Sequence, residues 1–211
     1  MINRKFTATA LLAAAAATTM VGFAGAAQAA PAARANHGIG IYGNPAAATP
    51  YWRPQHASDC GEMAVADVVG QITGHEPTER QITTVAENIP SGYGPGPMYH
   101  PPGGTDYRNV PVLLAHYGIQ STVTNTRISG LEQDLAHNRK VIVTLNAETI
   151  WNKPGNHSYP DHFVVVTGID TRAGVVHLND SGIGSGRDER ISMATFEHAW
   201  QTGNNVAVVT N

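Results

Sequence analysis

The sequence is poor in cysteine and in charge. Its 211 residues include one cysteine, charged residues make up 14% of the chain, and the formal net charge is −3. A single cysteine excludes an intramolecular disulfide framework, and without paired cysteines or a His-Glu-x-x-His motif a zinc site is not expected. No block of basic residues is present, so nucleic acid is not expected as a partner. We therefore expect a protein that binds no metal, cofactor or nucleic acid.

The first 29 residues differ in composition from the rest. Arg4 and Lys5 precede an Ala-rich, uncharged stretch over residues 6–27, and Ala-Gln-Ala at 27–29 places small residues where a signal peptidase reads them. This pattern predicts a secretory signal peptide over residues 1–29, a mature protein outside the cytoplasm and no stable membrane anchor. A membrane-spanning anchor is the alternative, because the apolar run is long enough to cross a bilayer.

The remaining chain predicts a flexible N-terminal arm over residues 30–50, rich in Ala, Pro, Gly and Asn, and one domain over residues 51–211. Helical periodicity predicts helices over 59–72, 78–88, 106–117, 131–138 and 192–201. Apolar, β-branched runs predict strands over 121–126, 141–145, 162–169, 175–178 and 206–210. A Pro- and Gly-rich segment over 90–104 predicts a long irregular loop. Helices first and strands later indicate an α+β fold, with a helical half packed on an antiparallel sheet.

Cys60 lies at the predicted start of the first of these helices, after Asp59 as the expected N-cap and with Glu62 completing a capping-box-like pattern. The peptide dipoles and free N–H groups at a helix N-terminus favour a thiolate over a thiol. An odd cysteine in an exported protein indicates an intermolecular bridge or a free thiol with a function. A buried, inert cysteine is the alternative. The position favours a nucleophile.

A thiolate nucleophile needs an imidazole within hydrogen-bond reach, and the chain has ten histidines. His162 opens the run His-Phe-Val-Val-Val-Thr-Gly, which is typical of a buried strand whose rigid end can hold a catalytic group. His56 is the competitor, because it is close to Cys60 in sequence. His157 and His177 are weaker candidates.

A third residue would orient the imidazole. Asp180 follows the next predicted strand, and a three-residue loop with Gly174 in the left-handed region would pair it with Val166, on the same face as His162. A two-residue loop would place Asn179 there instead. Asp180 is preferred, and Asn179 stays open.

Gln55 lies five residues before Cys60, in the loop that enters the helix. Its side-chain amide and the Cys60 backbone N–H together form a candidate oxyanion hole.

Three segments resemble the bacteriocin-processing-type cysteine peptidases of the papain-like superfamily (cysteine peptidase family thirty-nine), in particular their stand-alone, secreted branch. They are Gln-His-Ala-Ser-Asp-Cys-Gly at 55–61, Asp-His-Phe-Val-Val-Val-Thr-Gly at 161–168 and Leu-Asn-Asp at 178–180. The resemblance covers about Tyr51 to the C-terminus. In that family Pro usually follows the Asp, whereas Ser181 follows it here.

The resemblance implies a papain-like cysteine peptidase fold. It also implies that Cys60 is the nucleophile, His162 the base, Asp180 its orienting partner and Gln55 an oxyanion donor. The expected reaction is hydrolysis of a peptide or peptide-like amide by a monomer, with cell-wall peptides among the candidate substrates. Cleavage after a double glycine is not carried over, because no transporter segment is present. A papain-fold acyltransferase and a non-catalytic binding protein that keeps the fold are the alternatives.

Overall fold

The computed structural model describes residues 40–211. The predicted signal peptide and residues 30–39 of the predicted arm lie outside the described residues. The helices are α1 (Pro45–Ala48), α2 (Cys60–Thr73), α3 (Glu79–Asn88), α4 (Val110–His116), α5 (Ile128–Ala136), α6 (Ala147–Ile150) and α7 (Met193–Gln201). The strands are β1 (Ile41–Gly43), β2 (Ser121–Asn125), β3 (Val141–Leu145), β4 (His162–Asp170), β5 (Val175–Asn179), β6 (Glu189–Ser192) and β7 (Val206–Thr210). Within residues 40–211, no helix combines the length and the apolar character needed to cross a membrane.

The strands form one antiparallel sheet with the order β2-β7-β3-β4-β5-β6. The long strand β4 pairs with β3 along its first half, with β1 along its second half and with β5 on its other edge. Both β3 and nearly all of β4 are buried, which explains their continuous apolar sequences. His162 therefore lies at the end of the most firmly held strand of the sheet.

Helices cover both faces of the sheet. α2, α3 and α4 form one apolar core with Phe163 and Val165 of β4, and α5 and α7 form a second core with Val164 and Val166. Neighbouring residues of β4 enter opposite cores because side chains alternate along a strand. The predicted α+β class is confirmed, and the sheet lies between two helical layers.

Helix α2 is the central helix of the first core, and its residues from Gly61 to Gly70 are all buried. A Cβ atom on Gly70 would lie 2.5 Å from a ring carbon of Tyr51, so only glycine allows Tyr51 to pack against the helix. This packing holds α2, and with it the position of Cys60.

The predicted helix boundaries are largely confirmed. Gly74 ends α2 with φ 76°, and Thr78 and Gln81 form the predicted capping box of α3. The predicted capping box of α2 is wrong. Asp59 is the N-cap residue, but its side chain accepts no hydrogen bond from the helix, and Glu62 accepts a hydrogen bond from Thr105 instead.

Several short elements were not predicted. Residues 40–50 of the predicted arm form β1, α1 and the start of a 3-10 turn, and β1 pairs with the last residues of β4. α6 and β6 have four residues each. Elements of three or four residues are too short to show a period in the sequence. The helix predicted over 106–117 begins as a 3-10 turn over 107–109, and α4 follows directly from Val110.

The register of the β4–β5 hairpin differs from the predicted one. Val166 lies opposite Leu178 and not opposite Asp180, and the pairing shifts by one residue at Thr167. Gly174 has the predicted positive φ, 67°. Continuing the register beyond Asn179 brings Asp180 opposite Val164, whose side chain lies on the same face as His162. The irregularity at Thr167 thus restores the parity on which the prediction depended.

Candidate active site

Cys60 is the first residue of α2 and is partly exposed, with no disulfide partner in the described residues. Its side chain packs at the margin of the first apolar core. The helix behind it is fourteen residues long, so the sulfur lies at the positive end of a full-length helix dipole. This placement stabilises negative charge on the sulfur.

His162 is the first residue of β4, opposite Leu145 of β3, and is 4% exposed. Its Nε2 atom lies 2.7 Å from Oδ1 of Asp180. Cys60 is the second group that acts on this ring, and its hydrogen bonding and charge help to raise the pKa of His162. The structure therefore brings Cys60, His162 and Asp180 together in that order.

The protonation of His162 depends on these two partners. Burial alone would lower the pKa of His162, but the hydrogen bonds and charges of Asp180 and Cys60 outweigh burial and raise the pKa to about 10. Burial likewise favours a raised pKa for Asp180, and the hydrogen bond and charge of His162 reverse that effect and hold the pKa below its ordinary value. At neutral pH the pair is therefore an imidazolium and a carboxylate.

Asp180 is fully buried and its carboxylate accepts three hydrogen bonds. Oδ1 accepts from His162 and from the Gly182 backbone N–H at 2.7 Å, and Oδ2 accepts from Nε1 of Trp151 at 2.8 Å. The Asp180 backbone carbonyl accepts from Nε1 of Trp52. A buried carboxylate needs such donors to remain charged, and here they also fix the direction in which it faces.

Asn179 lies elsewhere. Its Nδ2 donates to Oδ2 of Asp67 at 2.7 Å and to the Ala48 carbonyl at 3.1 Å. Burial raises the pKa of Asp67, a residue of α2, to about 6. The Asn179 amide therefore stabilises a desolvated carboxyl group of that helix. Between the two residues that the sequence left open, Asp180 is the one that contacts His162.

Both polar atoms of the Gln55 side-chain amide form hydrogen bonds. Nε2 donates to the Ala57 carbonyl at 2.8 Å, and Oε1 accepts from the hydroxyl of Ser181 at 2.8 Å. The Gln55 backbone N–H also donates to the Ser181 carbonyl, at 2.9 Å. Because a carbonyl can only accept, the nitrogen must face Ala57, and its second hydrogen has no acceptor among residues 40–211. Ser181, the residue after Asp180, thus connects Gln55 to the segment that carries Asp180.

The other candidate histidines are engaged elsewhere. His56 is exposed and its Nδ1 lies 2.6 Å from Oε2 of Glu79. His157 lies 2.9 Å from the hydroxyl of Thr149. His177 is buried, with Nδ1 at 2.7 Å from Asp188.

The Pro- and Gly-rich segment 90–104 is irregular, as predicted, and it packs beside the first turn of α2. Tyr99 in this segment is buried in the first core. Thr105, which follows it, donates to the Glu62 carboxylate and to the Met98 carbonyl. Glu62 lies in the first turn of α2, so the end of the segment is held against the start of this helix.

Sequence reasoning missed Trp151 and Gly182. The Trp151 ring lies 5.1 Å from the His162 ring, centroid to centroid, at 58°. A Cβ atom on Gly182 would lie 2.7 Å from the Trp151 ring and 2.9 Å from the His162 ring, so glycine is required there. No local pattern indicates these contacts, because they depend on how distant segments meet. Among residues 40–211, no three His, Cys, Asp or Glu side chains are arranged to hold a metal ion.

Comparison with known proteins gives related sequences and related folds. Uncharacterized proteins of Mycobacterium tuberculosis and Mycobacterium bovis are 45% identical to this chain over 195 residues, which cover 81% of this chain and 84% of each relative. The crystal structure of a C39-like peptidase from Bacillus anthracis covers 81% of this chain and 97% of its own, with a TM-score of 0.62 at 16% identity. The peptidase domain of Streptococcus ComA, a bifunctional ABC transporter involved in quorum sensing, covers 75% of this chain and 96% of its own, with a TM-score of 0.51 at 16% identity.

The two solved structures identify the fold as that of C39-like peptidases. The model of the Peptidase_C39 like family matches residues 13–208, which is most of the sequence. The chain belongs to the Peptidase_C39 like family.

Proposed function

We propose that this protein is a secreted cysteine peptidase that hydrolyses a peptide or peptide-like amide. Cys60 is the nucleophile, His162 the acid and base, Asp180 the residue that orients the imidazole, and Gln55 an oxyanion donor. The observation that supports this proposal most strongly is the position of His162 between Cys60 and Asp180, with its pKa raised to about 10. An imidazolium next to a sulfur at a helix N-terminus stabilises the thiolate needed for attack.

In the acylation step, the Cys60 thiolate attacks the carbonyl carbon of the substrate and a C–S bond forms. The electron pair of the carbonyl bond moves onto its oxygen, and the Cys60 backbone N–H and the free Nε2–H of Gln55 stabilise that oxyanion. When the tetrahedral intermediate collapses, the C–N bond breaks and the His162 imidazolium gives its proton to the departing amine. A thioester on Cys60 remains.

In the deacylation step, His162 is neutral and accepts a proton from water. The resulting hydroxide attacks the thioester, the C–S bond breaks, and Cys60 leaves as a thiolate beside the reformed imidazolium. Asp180 keeps the same ring nitrogen bonded throughout, so the ring presents its other nitrogen to sulfur, amine and water in turn. If an amine competes with water at this stage, the same site performs acyl transfer.

The location and assembly of the protein belong to the same proposal. The pattern of residues 1–29 supports export. We infer that the exported protein acts as a monomer on extracytoplasmic peptides, cell-wall peptides included. N-terminal sequencing of protein recovered from the culture medium is expected to begin near Ala30. Retention of the intact N-terminus in the membrane fraction would contradict export.

The site is tested with iodoacetamide at pH 5.5, where an ordinary thiol is almost entirely protonated. Wild-type protein is expected to be alkylated at Cys60 under these conditions, and His162→Ala is expected to react only as pH rises. Equal acid reactivity of the two proteins would show that His162 does not activate the sulfur. It would thereby contradict the proposal.

The reaction is tested by incubating the protein with a peptide library and identifying products by mass spectrometry. Hydrolysed products that vanish in Cys60→Ala support the proposal. Products that carry an added glycinamide, formed when glycinamide is present in the buffer, identify a transferase instead. A Cys60 that is alkylated at acid pH but forms no product from any peptide contradicts peptidase activity.

A further inference from the structure

We propose that Glu189 is a positioning residue of this site, whose neutral carboxyl group donates a hydrogen bond to the Asp180 carboxylate and holds it against His162. This inference rests on the proposed function, since it concerns the same triad. It adds a fourth residue behind the three that the sequence indicates.

The position of Glu189 follows from the sheet. It is the first residue of β6 and lies opposite Leu178 of β5, two residues before Asp180. Its Oε2 atom is buried and receives no hydrogen bond from an N–H or hydroxyl donor within residues 40–211. Cross-strand partners share a face of the sheet and side chains alternate along a strand, so Glu189 lies on the same face as Leu178 and Asp180. Asp180 is also one of the groups that raise the pKa of Glu189. Two carboxyl groups can share a hydrogen bond only if one of them is protonated.

The proton belongs to Glu189 and not to Asp180. Asp180 accepts hydrogen bonds from His162, Trp151 and the Gly182 backbone, and the imidazolium faces it. Burial first, and then the charge and hydrogen bond of Asp180, raise the pKa of Glu189 to about 8, and the charge of His162 opposes this. At neutral pH Glu189 is therefore a hydrogen-bond donor.

The loop between the two acids leaves little freedom for Asp180 to move. Its backbone N–H donates to the Gly186 carbonyl at 2.8 Å, and a Cβ atom on Gly186 would lie 1.9 Å from the Asp180 carbonyl oxygen. The other charged groups of this loop are engaged away from Asp180. Asp188 bonds His177, and Arg187 lies over the Trp52 ring. Asp180 and His162 are thus the charges that act on Glu189.

Ionisation of Glu189 would place a second negative charge beside Asp180 and remove the donated hydrogen bond. Like charges in a buried site repel strongly, so the Asp180 carboxylate would change its position or its hydration. The indole N–H of Trp151, which donates to the same carboxylate, reports such a change directly.

The test follows the Trp151 indole N–H by NMR between pH 6 and 10, with its resonance assigned from Trp151→Phe. In wild-type protein the resonance is expected to shift with a midpoint near pH 8, the pKa of Glu189. In Glu189→Gln, which keeps a neutral donor, that step is expected to vanish. Glu197→Gln, a change of the same kind at an exposed position of α7, is expected to keep it. The same midpoint in wild type and Glu189→Gln would overturn the proposal.

A second measurement uses alkylation of Cys60 by iodoacetamide at pH 6. Loss of a hydrogen bond to a charged group is expected to slow the reaction about tenfold in Glu189→Leu, whereas Glu189→Gln stays within about twofold of wild type. A Glu189→Leu protein that is folded and reacts at the wild-type rate would overturn the proposal. If Glu189→Leu does not fold, the comparison of Glu189→Gln with Glu197→Gln by NMR still decides.

The two experiments separate failure of this inference from failure of the proposed function. If Cys60 of the wild type were unreactive at acid pH, the proposed activation by His162 would fail. The Trp151 titration would still show whether Glu189 donates to Asp180. If Cys60 is reactive at acid pH and the titration step survives in Glu189→Gln, only the role of Glu189 fails.

Discussion

Two histidine–aspartate pairs lie on the β4–β5–β6 part of the sheet, and only one of them is next to the cysteine. His162 with Asp180 and His177 with Asp188 have the same nitrogen–oxygen distance, 2.7 Å. The two histidines are also equally buried, with 4% and 5% of their surfaces exposed. Neither the distance nor the burial of the imidazole distinguishes the candidate site from its neighbour.

The surroundings of the two aspartates distinguish the pairs. Asp180 is fully buried and bonds Trp151 and the Gly182 backbone, whereas 29% of the Asp188 side chain is exposed. A partly exposed aspartate is screened by water, so its pair contributes less, while a buried pair depends on every additional hydrogen bond. His162 also has a second partner, Cys60. The His162 pair is a candidate active site because its imidazole lies between a buried, hydrogen-bonded carboxylate and a sulfur.

The largest expected effect separates the two histidines. At pH 5.5 an ordinary thiol is about 0.1% ionised, so His162→Ala is expected to slow alkylation of Cys60 by about 10²- to 10³-fold. His177→Ala, at a distance from the sulfur, is expected to change the rate less than about twofold. Circular dichroism of both variants controls for folding. Equal losses in the two variants would remove the distinction between the pairs.

The next effect separates the two aspartates. Asp180→Asn removes the charge that holds the imidazolium, and since a hydrogen bond to a charged group is lost we expect about a 10- to 100-fold slower alkylation at pH 5.5. Asp188→Asn is the matched control and is expected to react like wild type. A wild-type rate in Asp180→Asn would show that Asp180 does not support the proposed ion pair.

The same pair should link folding stability to pH. The pKa of His162 is raised from 6.5 to about 10, so its contribution is fully present below pH 6.5 and is lost as pH rises through about 10. The pKa of Asp180 is lowered from 3.8, so its contribution is present above pH 3.8 and is lost as pH falls below it. The difference in urea midpoint between wild type and His162→Ala is therefore expected to be largest between pH 4 and 6.5. A difference that grows between pH 8 and 10 would contradict this assignment.

The sequence correctly predicted most of the strands and helices around these two pairs. Nearly continuous apolar runs predicted β3, β4 and β7, because strands buried on both faces have few polar positions. The capping box of Thr78 and Gln81 predicted the start of α3, because it depends on residues three apart. Signals of this kind are local, and they are independent of how the elements later pack.

The surroundings of Asp180 were not predictable in the same way. Trp151 and Glu189 come from segments 29 and 9 residues away along the chain, and neither lies in a motif. The register of the hairpin also depended on an irregularity at Thr167, for which the sequence offers no signal. What separates the His162 pair from the His177 pair is therefore tertiary, and it becomes visible only when the segments are assembled.

The smallest expected effect concerns the oxyanion side of the site, where Ser181 stands in place of the usual proline. Its hydroxyl fixes Oε1 of Gln55, so Ser181→Ala frees the amide without touching the ion pair. Because a neutral hydrogen bond is worth about 1 kcal/mol, turnover of a cleaved library peptide is expected to fall by about two- to tenfold. Alkylation at pH 5.5 should be unchanged, since attack on iodoacetamide develops no oxyanion. A parallel loss of alkylation and turnover would mean that Ser181 acts through Asp180 and His162, and not through Gln55.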